Sequence, residues 1–88
     1  MSDEQIQAAL KNLSAWEYVN GELRREFKFD DFHETMRFVN AVADIAHASD
    51  HHPDMEVSYN RCVVKYSTHS AGGITQLDFD SAKRAGEL

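Results

Sequence analysis

The sequence predicts an α+β fold of order α-β-β-α-β-β-α, with helices packed on one face of a four-stranded antiparallel sheet. Three observations lead there. Apolar residues recur at helical spacing in three separate stretches. Between those stretches lie two pairs of alternating segments, each pair joined by a short turn. The second alternating segment is apolar on one side only, with Leu23, Phe27 and Phe29 opposed by Glu22, Arg24, Glu26 and Lys28. A sheet patterned in this way needs a helical cover on one face and can leave the other to water.

The first helix is expected over about residues 3–13. Ser2 and Gln5 have the spacing of a capping box, and Ile6, Leu10 and Leu13 follow on one face. Trp16 to Val19 and Leu23 to Phe29 then alternate around Asn20-Gly21, a dipeptide whose tolerance of positive φ suits a type I′ hairpin. Arg25, on the apolar side, breaks the pattern. Asp31 and Glu34 repeat the capping spacing. Phe32, Met36, Val39, Val42, Ala43 and Ala46 follow at steps of three and four as a long central helix. It should stop near Ser49 or Asp50, because Pro53 biases His52 toward extended geometry and cannot itself continue a helix. Met55, Val57 and Tyr59 alternate, as do Cys62, Val64 and Tyr66, which predicts a second hairpin with Asn60-Arg61 as its turn. Ala71-Gly72-Gly73 reads as a flexible connector, and Thr75 with Asp78 as the cap of a last helix bearing Leu77, Ala82 and Ala85.

The chain has 88 residues, and 42% of them are hydrophobic, including five Phe, three Tyr and one Trp. That is enough for one folded domain over 1–88 with a modest core, and too apolar for a disordered chain. A net charge of −6 without a basic stripe disfavours direct nucleic-acid binding. No apolar run approaches the roughly 20 residues that cross a bilayer, so no membrane association is expected. Cys62 is alone and cannot form an internal disulfide, and MSDEQIQAAL lacks the basic segment and apolar run of a signal peptide. A cytoplasmic location is therefore expected. There is no phosphate loop, dinucleotide fingerprint, nucleophile elbow or pair of cysteines.

The histidines remain. With Asn60-Arg61 as the turn, Tyr59 faces Cys62. Stepping outward along the ladder then sets Pro53 opposite Thr68 and His52 opposite His69. His51 lies next door at the exit of the long helix, and His47 is one helical turn earlier. An imidazole, with an ordinary pKa of about 6.5, both gives and takes protons at neutral pH, so the cluster reads as a general acid–base site. A plainer reading has the same histidines capping the helix end and filling a polar loop. A metal reading is also available, because His47-x-x-x-His51 with His52 or His69 has the make-up of a three-histidine zinc site. Against it stand the expected helix end before His51 and the lack of a carboxylate spaced to orient such ligands. His33 is a surface position, and Cys62 a packed strand side chain. Asp78 either orients a site group or merely completes the cap.

Asp50-His51-His52-Pro53, Tyr59-Asn60 and Ser67-Thr68-His69 together closely resemble the signature of the pterin-4a-carbinolamine dehydratases. The resemblance covers most of the chain, including the Trp16 strand, Phe27-x-Phe29, and Gly73-Ile74-Thr75-x-x-Asp78 at the start of the last helix. It implies a hydro-lyase that removes water from 4a-hydroxytetrahydropterin, the product left by an aromatic amino-acid hydroxylase, and returns quinonoid dihydropterin to the recycling of a tetrahydrobiopterin-type cosubstrate. No cofactor and no metal are implied, the pterin being the substrate.

Position by position, His51, His52 and His69 are the catalytic candidates: His51 and His69 match acid–base positions, and His52 one that binds and orients substrate. Pro53, Thr68 and Ser70 would line the pterin pocket, and Asp78 matches an acidic position that could hold a histidine by hydrogen bonding. His47 stands where many members have Glu, and Met55 where many have Trp. The resemblance further implies a homodimer or homotetramer, with the hydroxylase as pathway partner. Because some animal members double as dimerisation cofactors of a transcription factor, a non-enzymatic cofactor module acting through the long helix is the alternative, and action on another pterin is a third reading.

Overall fold

The computed structural model describes residues 1–88 and runs α1 (Asp3–Leu10), β1 (Glu17–Val19), β2 (Glu22–Lys28), α2 (Phe32–Ser49), β3 (Asp54–Ser58), β4 (Arg61–Tyr66) and α3 (Gln76–Gly86), with a 3₁₀ turn over His69–Ala71 before α3. The element order is the expected one. All strands join one antiparallel sheet in the order β1-β2-β4-β3, so β2 and β4 are its inner strands.

Local chemistry accounts for most of the boundaries. Asn20 and Gly21 have φ of 53° and 77°, as a type I′ hairpin requires. Ser2 Oγ accepts from the Gln5 N–H at 3.2 Å and Gln5 Oε1 from the Ser2 N–H at 2.8 Å, which completes the capping box of α1. That helix ends at Leu10 and not at residue 13. The N–H groups of Lys11, Asn12 and Leu13 bond three residues back, at 3.4, 3.1 and 3.0 Å, so the chain winds more tightly toward the buried Trp16. At the start of α2, Asp31 Oδ1 accepts from Glu34 N–H at 2.8 Å. Its end lies where expected, but the agent is Asp50. That residue is left-handed (φ 51°, ψ 42°), and the following His51 N–H returns to the Ala46 carbonyl at 3.1 Å.

The core lies between the sheet and the helices. Leu23, Cys62, Val64 and Tyr66 from β2 and β4 meet Phe38 and Val42 of α2 and Phe79, Ala82 and Ala85 of α3, with Ile6, Trp16 and Ile74 closing the sides. Arg25 keeps its place on this face by laying its guanidinium 4.3 Å from the centre of the Phe27 ring. The other face carries exposed ion pairs, Arg24–Glu17 at 2.9 Å and Arg61–Glu26 at 3.2 Å. Such pairs are each worth well under about 1 kcal/mol. No helix is long and apolar enough to cross a membrane.

The second hairpin departs from expectation. Its turn is Tyr59-Asn60, with Ser58 opposite Arg61, Val57 opposite Cys62 and Met55 opposite Val64. A slip of two residues leaves every side chain on its own face, so the alternation fits both registers equally well. What selects the observed one is non-local. The Asn60 carbonyl accepts from the Phe29 N–H at 2.8 Å, and the Tyr59 carbonyl from the Thr35 hydroxyl at 3.0 Å, a proton shared with the Asp31 carbonyl at 2.9 Å. The ladder ends at Asp54 opposite Lys65, and its register would carry Pro53 toward Tyr66. The expected facings of Pro53 with Thr68 and of His52 with His69 therefore do not form. Nor is the stretch before α3 a loose connector: Thr68 and Gly73 exchange backbone bonds at 2.9 and 3.3 Å around a left-handed Gly72.

Thr35 is fully buried, so Thr35→Val should preserve its packing while stripping the Tyr59 carbonyl of its donor. The expected loss is about 1–2 kcal/mol in urea denaturation, with the slope m unchanged.

Candidate active site

Three elements converge on Asp78, the third residue of α3. Its side chain is wholly buried, and a buried carboxylate needs donors on both oxygens. Oδ2 accepts from the Thr75 N–H at 2.9 Å and from the Thr68 hydroxyl at 2.8 Å, while Oδ1 lies 2.6 Å from His51 Nε2. Thr68 has one hydroxyl proton and gives it to Asp78. Its 2.9 Å contact with the Thr75 hydroxyl must then be donated by Thr75. The partial positive charge at the N-terminus of α3 adds to these donors. Asp78 thus does both things the sequence left open, capping α3 with one oxygen and holding His51 with the other.

The same bond assigns the His51 tautomer. An ionised carboxylate only accepts, so Nε2 carries the proton and the neutral ring keeps its lone pair on Nδ1. The His51 side chain is 10% exposed. One face of its ring lies along Tyr66, with centroids 6.0 Å apart and planes 16° from parallel. Tyr66 is fully buried, and its hydroxyl has no hydrogen-bond partner. Burial, reinforced by the Asp78 charge, pushes this phenol up to about 12.

The other predicted residues surround this centre without bonding to it. His52 meets His47 edge to face, with ring centroids at 5.7 Å, and both are exposed. Pro53 is half-buried just before β3. His69 and Ser70 are exposed on the 3₁₀ turn that follows Thr68. Thr68 and His69 border an open cleft of about 400 Å³ together with Tyr18, Glu22, Ser67 and Gly73. No three His, Cys, Asp or Glu side chains are grouped as a metal ligand set. Cys62 is buried and its thiol pushed up by desolvation, which leaves it unreactive. Of the predicted residues, the structure therefore bonds His51, Thr68 and Asp78 together.

Two members of the centre were not singled out as site residues, Tyr66 and Thr75. Thr75 carried a signal in its capping spacing from Asp78. Tyr66 carried one in being a hydroxylated residue on the core face of its strand, three positions before His69, but its contact with His51 depends on where α2 ends.

Known proteins share this arrangement of chain. The family model for Pterin 4 alpha carbinolamine dehydratase matches residues 1–88. Several curated relatives are provisionally named pterin-4-alpha-carbinolamine dehydratase. One from Chromobacterium violaceum is 50% identical over 88 residues, covering 100% of this chain and 82% of its own. One from Nitrosospira multiformis is 44% identical, covering 100% and 78%, and one from Metallosphaera sedula 48% identical, covering 100% and 92%. The crystal structure of a transcriptional coactivator/pterin dehydratase from Brucella melitensis superposes with a TM-score of 0.95 at 34% identity, over 99% of this chain and 95% of that one. A pterin dehydratase-like protein identified as a RuBisCO assembly factor in the alpha-carboxysome shares the fold, with a TM-score of 0.67 at 16% identity over 82% of this chain and 83% of that one.

The Tyr66 phenol makes the fold less stable as the solution becomes strongly alkaline. Its folded value of about 12 lies above the ordinary 10.0, so the unfolded chain loses this proton first as pH rises. Stability from this group is complete below pH 10.0 and falls through about 12, by roughly 2–3 kcal/mol at most. Urea titrations between these limits should show that slope in the wild type, with the Tyr66 share of it missing in Tyr66→Phe.

Proposed function

The chain belongs to the pterin-4-alpha-carbinolamine dehydratase family, a family of hydro-lyases, and from that premise we propose that it eliminates water from a 4a-hydroxytetrahydropterin by histidine acid–base catalysis. The observation that carries this reading is the buried Asp78 carboxylate on His51 Nε2, 2.6 Å away. It leaves the opposite ring nitrogen available as a base.

The reaction removes the proton from the ring nitrogen next to C4a, breaks the C4a–oxygen bond and protonates the departing hydroxyl, so that quinonoid dihydropterin and one water result. No electron leaves the pterin, and the chemistry calls for an acid and a base and no redox group. In this reading His51 and His69 share the two proton transfers. As His51 takes up a proton at Nδ1 it becomes an imidazolium, whose charge Asp78 offsets across a bond too buried for water to screen. His52 orients the pterin, and Pro53, Thr68 and Ser70 line its pocket. Thr68 then has two duties, since its hydroxyl also donates to Asp78.

Two further parts belong to the same proposal. The substrate comes from an aromatic amino-acid hydroxylase and its product is recycled to the tetrahydropterin. The protein works as a homodimer or homotetramer, which would cover the edges that β1 and β3 leave unpaired, where Val19, Val57 and Tyr59 are exposed. The coactivator role named for the Brucella melitensis neighbour supports a second reading, a cofactor module acting through the surface of α2.

Stopped-flow absorbance of a 4a-hydroxytetrahydropterin, generated in place by a hydroxylase, measures the activity directly. The wild type should speed its decay, and His51→Ala and His69→Ala should each lower turnover by about 100-fold or more; the thermal midpoint should change little in His69→Ala, whose side chain is exposed, and fall in His51→Ala, which takes a donor from the buried Asp78 carboxylate. No acceleration by the wild type would sink the dehydratase reading and leave the coactivator one.

A further inference from the structure

An imidazole held by one hydrogen bond is only half positioned. The Nε2 contact with Asp78 and the bond to Cβ hold two corners of the ring, but its plane can still rock about the line between them, which would shift the aim of Nδ1. A contact with the ring face removes this freedom. The Tyr66 ring supplies such a contact, nearly parallel at 16° with centroids 6.0 Å apart, within the range of offset stacking.

Tyr66 is suited to the task because it is packed into the core. It is fully buried, its strand neighbour across the sheet is Leu23, and its ring also meets that of Trp16 at 5.9 Å. The hydroxyl takes no part in this. It has no partner, is sealed from solvent, and stays neutral until about pH 12, so it neither orients nor supplies protons near neutrality. An unpartnered buried hydroxyl is itself destabilising.

We infer that Tyr66 is a positioning residue of the site, whose ring face and the Asp78 carboxylate together fix the plane of His51 and so the aim of its Nδ1. The inference rests on the reading of His51 as the acid–base group, and its test contains one measurement that does not.

The test compares Tyr66→Phe, which keeps the ring, with Tyr66→Leu, which fills the core without one; Tyr66→Met takes the place of Leu if the latter does not fold. The first readout is kcat and KM on the 4a-hydroxytetrahydropterin. The second, without substrate, is the downfield proton resonance of the His51 Nε2–H, identified by its loss in His51→Ala. With Leu or Met, kcat should fall about tenfold with KM changed less than about twofold, and the resonance should broaden through exchange with water. Tyr66→Phe should restore both, with a higher thermal midpoint. The inference is overturned if the resonance stays sharp in the Leu or Met variant, or if Tyr66→Phe loses kcat as they do. A resonance lost with Leu in a protein that never accelerates pterin dehydration would instead uphold the platform and remove the dehydratase reading.

Discussion

The buried carboxylate of Asp78 ties the molecule together. Its two oxygens are met by donors from just past α2, from just past β4 and from the cap of α3, so three separate segments must all be in place before the charge is compensated. A carboxylate stripped of water and left without donors is far costlier than the worth of any single hydrogen bond it makes. The helix cap, the loop between β4 and α3, and the orientation of His51 are therefore one cooperative unit. In the proposed mechanism the chemistry uses groups the fold already needs: one nitrogen of His51 is a donor to the carboxylate, and the other is left for proton transfer.

How much of this the sequence disclosed follows from the range of the forces involved. Caps and turns are local, and they were legible: the Ser2–Gln5 box, the Asp31 cap, the Asn20-Gly21 turn and the end of α2 near Asp50 all lie where spacing put them. The face of each strand was legible as well, since alternation has a period of two. That same period hid the register of the second hairpin, because a displacement of two residues conserves every face. The deciding contacts, Phe29 with Asn60 and Thr35 with Tyr59, join residues between 24 and 31 positions apart.

The site shows the same division. Sequence spacing gathered the histidines through a cross-strand facing of His52 with His69, and the observed register does not make that pair. His51 enters the centre through Asp78, not through a cross-strand partner, and His52 turns to His47. Whether Asp78 was a cap or an orienting group could not be decided from a spacing that serves both. Tyr66 escaped notice because a tyrosine in an apolar strand looks like core, and it is core; its second role appears only when the end of α2 lays His51 against it.

The turn at Tyr59-Asn60 lies at the far end of the hairpin from His52 and Pro53, yet it sets where β3 begins relative to β4. A slip of two residues there would displace one strand along the other by roughly 7 Å while keeping every side chain on its own face of the sheet. Such a misthreaded chain would keep the same alternation of faces and still bring a different set of groups to the end of the hairpin where His52 and Pro53 lie. The two backbone carbonyls of that turn, anchored to Phe29 and Thr35, therefore act as a fidelity device. They discriminate between registers that alternation alone cannot tell apart, and they do so from the end of the hairpin opposite His52 and Pro53.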